Sequence, residues 1–300
     1  MASLLGVKVA ADLERFTAWA RDQDLVRALI ITSTHAVPNA RLDVLSDYDL
    51  ILILTDIRPF HESRDWLNAF GTVLAFYRDP IANEDDFETT GNIVQFEGGL
   101  KIDFTLIPVG LFQQIAAAPQ LPDEYDAGYR VLLDKDGLTD TLKPPSYQGY
   151  VPKPPTESEY LENIEVAFID AAYVAKYLWR DDVIAAKEVL DHYFKQEHLI
   201  PMLIWRAEID HGWTVKPGPL GRGLQRWLRP DLWAELTNTY ADADVDANWD
   251  ALFKSLALMK RVALEVGTHF GYAYPEEMER RAMAHLHKVR ALPPDADNFF

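Results

Sequence analysis

In Ser46-Asp47-Tyr48-Asp49-Leu50-Ile51-Leu52-Ile53-Leu54 an acidic beginning runs straight into five consecutive aliphatic residues. Bounded upstream by turn-forming residues (His35, Pro38, Asn39, Asp43), this run reads as a buried strand starting near Asp47. Side chains of a strand alternate between faces, so Asp47 and Asp49 present two carboxylates on one side while Tyr48 points to the other. Like charges placed together at the mouth of a buried strand repel unless a cation neutralises them. Hard divalent ions such as Mg²⁺ take oxygen ligands of this kind, usually together with substrate phosphates. The same acid-x-acid spacing also occurs where a residue caps a turn or faces solvent, so the pair alone leaves both readings open.

A third acid sharpens the choice. Asp103 lies inside Lys101-Ile102-Asp103-Phe104-Thr105-Leu106-Ile107, a core-type strand with Ile102 and Phe104 on the face opposite the acid. If that strand neighbours the first, three carboxylates converge. Metal-assisted nucleotidyl transfer needs such a set: metals orient the phosphates, and the third acid takes the proton of an attacking hydroxyl.

Outward from these two strands, residues 9–22 carry apolar positions three or four apart (Val9, Leu13, Phe16, Trp19, Ala20), the pattern of an amphipathic helix. Strands are expected at Val26–Ile31, Val73–Tyr77, Asn92–Phe96 and Tyr129–Leu133, with Gly98-Gly99 turning before the Asp103 strand. Short helices are expected at Arg64–Phe70 and 110–117. Between residues 143 and 156 lie Pro144, Pro145, Gly149, Pro152, Pro154 and Pro155, a density of helix breakers that marks a linker. Beyond it the pattern is helical: Tyr160–Trp179, 182–212 as one long helix or two, then 231–240, 247–270 and 275–290. The plan is an α/β N-terminal domain joined to an all-helical C-terminal one, as 300 residues at roughly 100–200 per domain allow.

Composition narrows the function classes. With 48% hydrophobic residues the chain can build a core, and with no cysteine it has no thiolate zinc site, disulfide framework or cysteine nucleophile. Lys plus Arg is 29 against 47 Asp plus Glu, a net charge of −18 with no basic cluster. That charge repels a nucleic-acid backbone and suits the steering of a cationic small molecule. No apolar run approaches the roughly 18 residues of a membrane span, and the N-terminus lacks the basic and apolar regions of a signal peptide, so a cytoplasmic location is expected. A monomer is the expected state.

The chain resembles the aminoglycoside 6-adenylyltransferase (streptomycin adenylyltransferase) family. The resemblance rests on Pro38-Asn39, Asp47-Tyr48-Asp49, Thr55-Asp56, Trp66-Leu67, Phe70-Gly71, Phe96-Glu97, Lys101 to Pro108 and Leu132 to Gly137. In the second half it rests on Tyr173 to Lys176, Leu178 to Arg180, Asp231 to Trp233, Trp249 to Phe253 and Tyr272 to Glu276. It implies an α+β fold class. A nucleotidyltransferase-fold domain with a mixed β-sheet would occupy residues 1–146, a proline-rich linker 147–155, a helical bundle that binds the substrate 156–292, and a tail 293–300. It implies transfer of AMP from ATP to a hydroxyl of an aminoglycoside, of streptomycin type, with Mg²⁺ present and pyrophosphate released. Carried onto this chain, Asp47 and Asp49 would be metal ligands and Asp103 a metal ligand or the general base. Lys176 and Lys187 are candidates to meet the triphosphate.

One stretch departs from that pattern. After the first strand such families carry Gly-Ser, often followed by Arg; this chain has Ser33-Thr34-His35. Thr34 keeps a hydroxyl for phosphate, but Ser33 adds a side chain where backbone should approach closely, and His35 replaces a permanently charged fork. Ser33, Thr34 and His35 are still expected at the nucleotide, with Thr34 and His35 contacting the outer phosphates. The alternative is therefore a nucleotidyltransferase homologue that modifies a different small molecule or only binds ligand. Other signals fail. Asp134-Lys135-Asp136-Gly137 and Asp242 to Asp246 resemble calcium loops but have Pro145 and Phe253 where the loop-closing Glu belongs.

Overall fold

The computed structural model describes residues 4–38 and 40–299; Asn39, part of the quoted Pro38-Asn39 pair, lies outside the described residues. The chain separates into two compact units, Met1–Tyr150 and Val151–Phe300.

In the first unit, α1 (Leu4–Asp22) leads into β1 (Val26–Thr32), a 3₁₀ turn at Ser33–His35, and β2 (Tyr48–Leu54). Then come α2 (Arg58–Glu62), a 3₁₀ segment (Asp65–Phe70), β3 (Val73–Arg78), β4 (Ala82–Glu84), β5 (Phe87–Phe96) and β6 (Lys101–Pro108). The unit closes with α3 (Val109–Ala117), α4 (Asp123–Asp126) and β7 (Tyr129–Asp134). The sheet runs β3-β5-β6-β2-β1-β7, with β4 on β5. It is mixed: β2 and β6 are parallel, and the other pairs are antiparallel.

The unbroken aliphatic run of β2 is explained by its central place, since a strand covered on both faces has no solvent side to make polar. Tyr48, Leu50, Leu52 and Leu54 pack into a core with Phe16, Phe70 and Phe104, where α1 lies. Ile51 and Ile53 pack on the opposite face with Ile107, Leu111, Phe112 and Tyr125, from β6, α3 and α4. The parity of the strand thus sets Asp49 on the α3–α4 face and Tyr48 on the α1 face. The helix expected at Arg64–Phe70 is a 3₁₀ segment from Asp65, and α2, β4 and α4, each three to five residues long, were not expected. The strand expected at Asn92–Phe96 begins earlier, at Phe87.

The second unit is all helical: α5 (Glu157–Trp179), α6 (Val183–Lys187), a π-helical stretch (Glu188–Leu199), α7 (Ile200–His211), α8 (Pro230–Thr237), α9 (Val245–Phe270) and α10 (Glu276–Ala291). A capping box starts α5: the Thr156 hydroxyl accepts from the Glu159 N–H, and the Glu159 carboxylate accepts from the Thr156 N–H. Tyr160, Phe168, Phe194, Leu203, Met259 and Val262 anchor its core. Tyr160 is tolerated there because its hydroxyl donates to the Ala263 carbonyl at 2.9 Å. Lys195 is fully buried, its Nζ 2.7 Å from Asp191 Oδ1, 2.7 Å from the Thr239 carbonyl and 4.0 Å from the Tyr240 ring centroid. Phe299, in the segment expected to be a tail, packs against His285. Among the described residues no helix is long and apolar enough to cross a membrane.

Candidate active site

Parallel pairing of β2 with β6 puts Asp49 directly beside Asp103. Asp47, two residues before Asp49, enters on the same face, so the three acids expected to converge do so at the N-terminal ends of two adjacent strands. The cross-strand row continues outward, Thr32 beside Asp49 on one side and Ile93 beside Asp103 on the other.

A cation sits among them. Lys101, two residues before Asp103 on the same face of β6, places Nζ 2.8 Å from Asp47 Oδ2 and 2.9 and 2.8 Å from the two oxygens of Asp103. Burial would push the Lys101 ammonium down, but the hydrogen bonds to Asp103 and Asp47 outweigh it and hold the pKa above the usual lysine value. Lys101 was read in sequence only as a strand residue. Its signal was the Lys-x-Asp spacing, which sets acid and base on one face.

Asp49 takes the strain of this grouping. Burial first, then the charges of Asp103 and Asp47, push its pKa up to about 6, against the opposing pull of the Ser33 hydroxyl and of Lys101. A further carboxylate, Glu124 of α4, lies on the same face; burial and then the charge of Asp49 raise its pKa. No sequence pattern marked Glu124, because a four-residue helix has no periodicity to read.

The turn after β1 has an unusual backbone at Ser33. Its φ is +58°, the left-handed region that glycine adopts freely and other residues enter at a cost of about 1 kcal/mol or more. Ser33 therefore holds the backbone shape that a glycine would give, and its hydroxyl favours the ionised form of Asp49, against the effect of burial. Thr34 is half-buried. His35 goes elsewhere: its ring stacks on Tyr48, centroids 4.2 Å apart and planes within 10°, and Tyr48 belongs to the α1-side core. Both His35 ring nitrogens are buried without a hydrogen bond of ordinary geometry, and burial, with Arg130 adding to it, lowers the pKa. Burial therefore disfavours the charged form of His35, which packs on Tyr48.

Lys176 and Lys187 lie in the helical unit. Lys176, in the last turn of α5, sets Nζ 4.2 Å from the Tyr173 ring centroid and 4.9 Å from that of Tyr177. It lines a cavity of about 630 Å³ with Tyr173, Trp179, Arg180, His285 and Phe299. Lys187 ends α6 and is engaged with Asp191, at 2.8 Å, and the Ala241 carbonyl, at 2.8 Å.

Among the described residues no three carboxylate or imidazole groups are gathered as a ready cage for a metal ion. The donor set of Asp47, Asp49 and Asp103 nevertheless suits one. It is all oxygen, as hard divalent ions require, and the crowding that raises Asp49 is the kind that a cation relieves.

Comparison with known proteins finds relatives of this chain. The family model for streptomycin adenylyltransferase matches residues 10–289. The aminoglycoside 6-adenylyltransferase of Bacillus subtilis (strain 168) is 27% identical over 272 residues, covering 88% of this chain and 92% of that one. The aminoglycoside 6-adenylyltransferase of Campylobacter jejuni is 24% identical over 265 residues, covering 86% and 87%. Among solved structures, an aminoglycoside 6-adenyltransferase from Bacillus subtilis aligns over 94% of this chain and 97% of that one, at 24% identity and a TM-score of 0.47.

Proposed function

The chain belongs to the streptomycin adenylyltransferase family and is a nucleotide-transferring enzyme; on that premise we propose that it moves AMP from ATP to a hydroxyl of an aminoglycoside of streptomycin type, releasing pyrophosphate. The observation that carries this reading is the side-by-side pairing of Asp49 with Asp103 on parallel strands, with Asp47 joined to Asp103 through Lys101. Asp47, Asp49 and Asp103 would hold Mg²⁺, whose chemistry is to neutralise charge on the transferring phosphoryl group.

The chain's own residues do the rest. The Ser33–His35 turn keeps a glycine-like backbone, which supports close approach of its amides to the outer phosphates, and Thr34 offers a hydroxyl beside them. Asp103 accepts the proton of the acceptor hydroxyl as its oxygen bonds to the α-phosphorus and the bond to the β-phosphate oxygen breaks. Acidic side chains of the helical unit, residues 156–292, would receive the ammonium and guanidinium groups of the acceptor, in keeping with the net charge of −18. Lys176 and Lys187 remain our candidates for the triphosphate.

The test is pyrophosphate release from ATP with Mg²⁺, with and without streptomycin, with Asp103→Ala as the blank. Streptomycin-dependent release that the variant lacks is the expected result. ATP binding without release under streptomycin would overturn the acceptor and leave the nucleotide site. Absence of both release and ATP binding would overturn the enzyme reading in favour of a homologue that only binds ligand.

A further inference from the structure

The head of Lys101 is surrounded as a hard cation would be. Three oxygens, from Asp47 just before β2 and from Asp103 of β6, converge on its Nζ at 2.8, 2.9 and 2.8 Å. An ammonium with three donors facing carboxylate oxygens matches a small divalent ion in charge sign and ligand type, though with half the charge. The side chain is also free to leave: it is 27% exposed, and a lysine head on its four-carbon stem can swing to water without moving the strand. The two carboxylates that it bridges are 39% and 32% exposed, so the position opens to solvent rather than into the core.

We propose that Lys101 is the resident cation of the carboxylate cluster, and that a divalent ion enters by exchange with its ammonium. This rests on the reading of Asp47, Asp49 and Asp103 as metal ligands. The ammonium holds the carboxylates of Asp47 and Asp103 close together when no metal is bound, so two of the three ligands stay within reach of one ion. It also competes for the same oxygens, so the free protein holds a divalent ion weakly. Substrate phosphates, which bring further oxygen ligands and negative charge, tip the exchange. Metal and nucleotide binding are thereby coupled through one side chain.

The experiment uses the full chain and Mn²⁺ alone, with free Mn²⁺ counted by electron paramagnetic resonance in the absence of nucleotide. Lys101→Met and Lys101→Gln, each verified as folded by circular dichroism, are expected to bind Mn²⁺ at least about tenfold more tightly than the parent, because a positive charge beside the ligands has been removed. Lys101→Arg keeps the charge and is expected to stay within about twofold of the parent. Adding Asp49→Asn to Lys101→Gln is expected to abolish the gain. Equal or weaker Mn²⁺ binding by both neutral variants overturns the exchange while leaving the metal-ligand reading intact. Failure of the parent and of every variant to bind Mn²⁺, with or without ATP, overturns that reading itself and the exchange with it.

Discussion

Asp49→Asn should stabilise the protein while destroying its activity. The Asp49 carboxyl is pushed from the ordinary 3.8 up to about 6 by burial and by its two acidic neighbours. Two pH units at about 1.4 kcal/mol each amount to about 3 kcal/mol, and water reaching the rim of the site reduces that to about 1–2 kcal/mol. In the unfolded chain the carboxyl ionises near 3.8, whereas in the folded protein it keeps its proton to about 6. Between these values the folded state binds more protons, so the Asp49 contribution to stability falls as pH rises from about 4 to 6 and stays low above. Asparagine has no charge to bury. The variant should therefore match the parent below pH 4 and exceed it by about 1–2 kcal/mol at pH 7.5. Native-state hydrogen exchange at the amides of β2 and β6, in EDTA to remove divalent ions, reads the N-terminal unit alone. A pH-independent difference, or an asparagine variant that is less stable at pH 7.5, would refute the crowding of charge inferred at this site.

Three further outcomes are expected. Asp103→Asn, folded by circular dichroism, should lower streptomycin-dependent pyrophosphate release at least about 100-fold, the weight of a general base; release within about threefold of the parent would remove Asp103 from the chemistry. Tyr48→Phe loses the bond from a buried hydroxyl to Asp12 Oδ2 at 3.0 Å and should cost about 1 kcal/mol in the same exchange measurement. Lys195→Met leaves the Thr239 carbonyl without its buried donor and Asp191 with Lys187 alone, and should lower stability to urea by about 2–4 kcal/mol, with the loss confined to helical-unit amides.

The sequence announced the carboxylates because a strand has a period of two: Asp47 and Asp49 had to share a face, and Asp103 had to oppose Ile102 and Phe104. It did not announce Lys101, since a lysine at the start of a strand reads as solvated until its neighbour across the sheet is known. Elements without periodicity stayed hidden for the same reason, β4 and α4 among them, and with α4 went Glu124. The π-helical stretch at Glu188–Leu199 also read as ordinary helix, because its apolar spacing differs little from the α-helical one. At Ser33 the residue type suggested a lost glycine, whereas the backbone conformation is retained. Side-chain identity reports φ only statistically. The stacking of His35 on Tyr48 was not legible either, because the two residues lie 13 positions apart and meet only through the fold.

The parallel pairing of β2 with β6 also fixes when in folding the site comes into being. β1 with β2 and β5 with β6 are antiparallel pairs close along the chain, whereas Asp47 and Lys101 are 54 residues apart. Bringing such distant segments together loses chain entropy before any contact offsets it, so this join is among the slow steps. The carboxylate cluster is thus a late product of folding, absent from any species in which only the two antiparallel halves are made. Ions that bind it should leave the folding rate nearly unchanged and slow unfolding, lengthening the lifetime of the finished sheet.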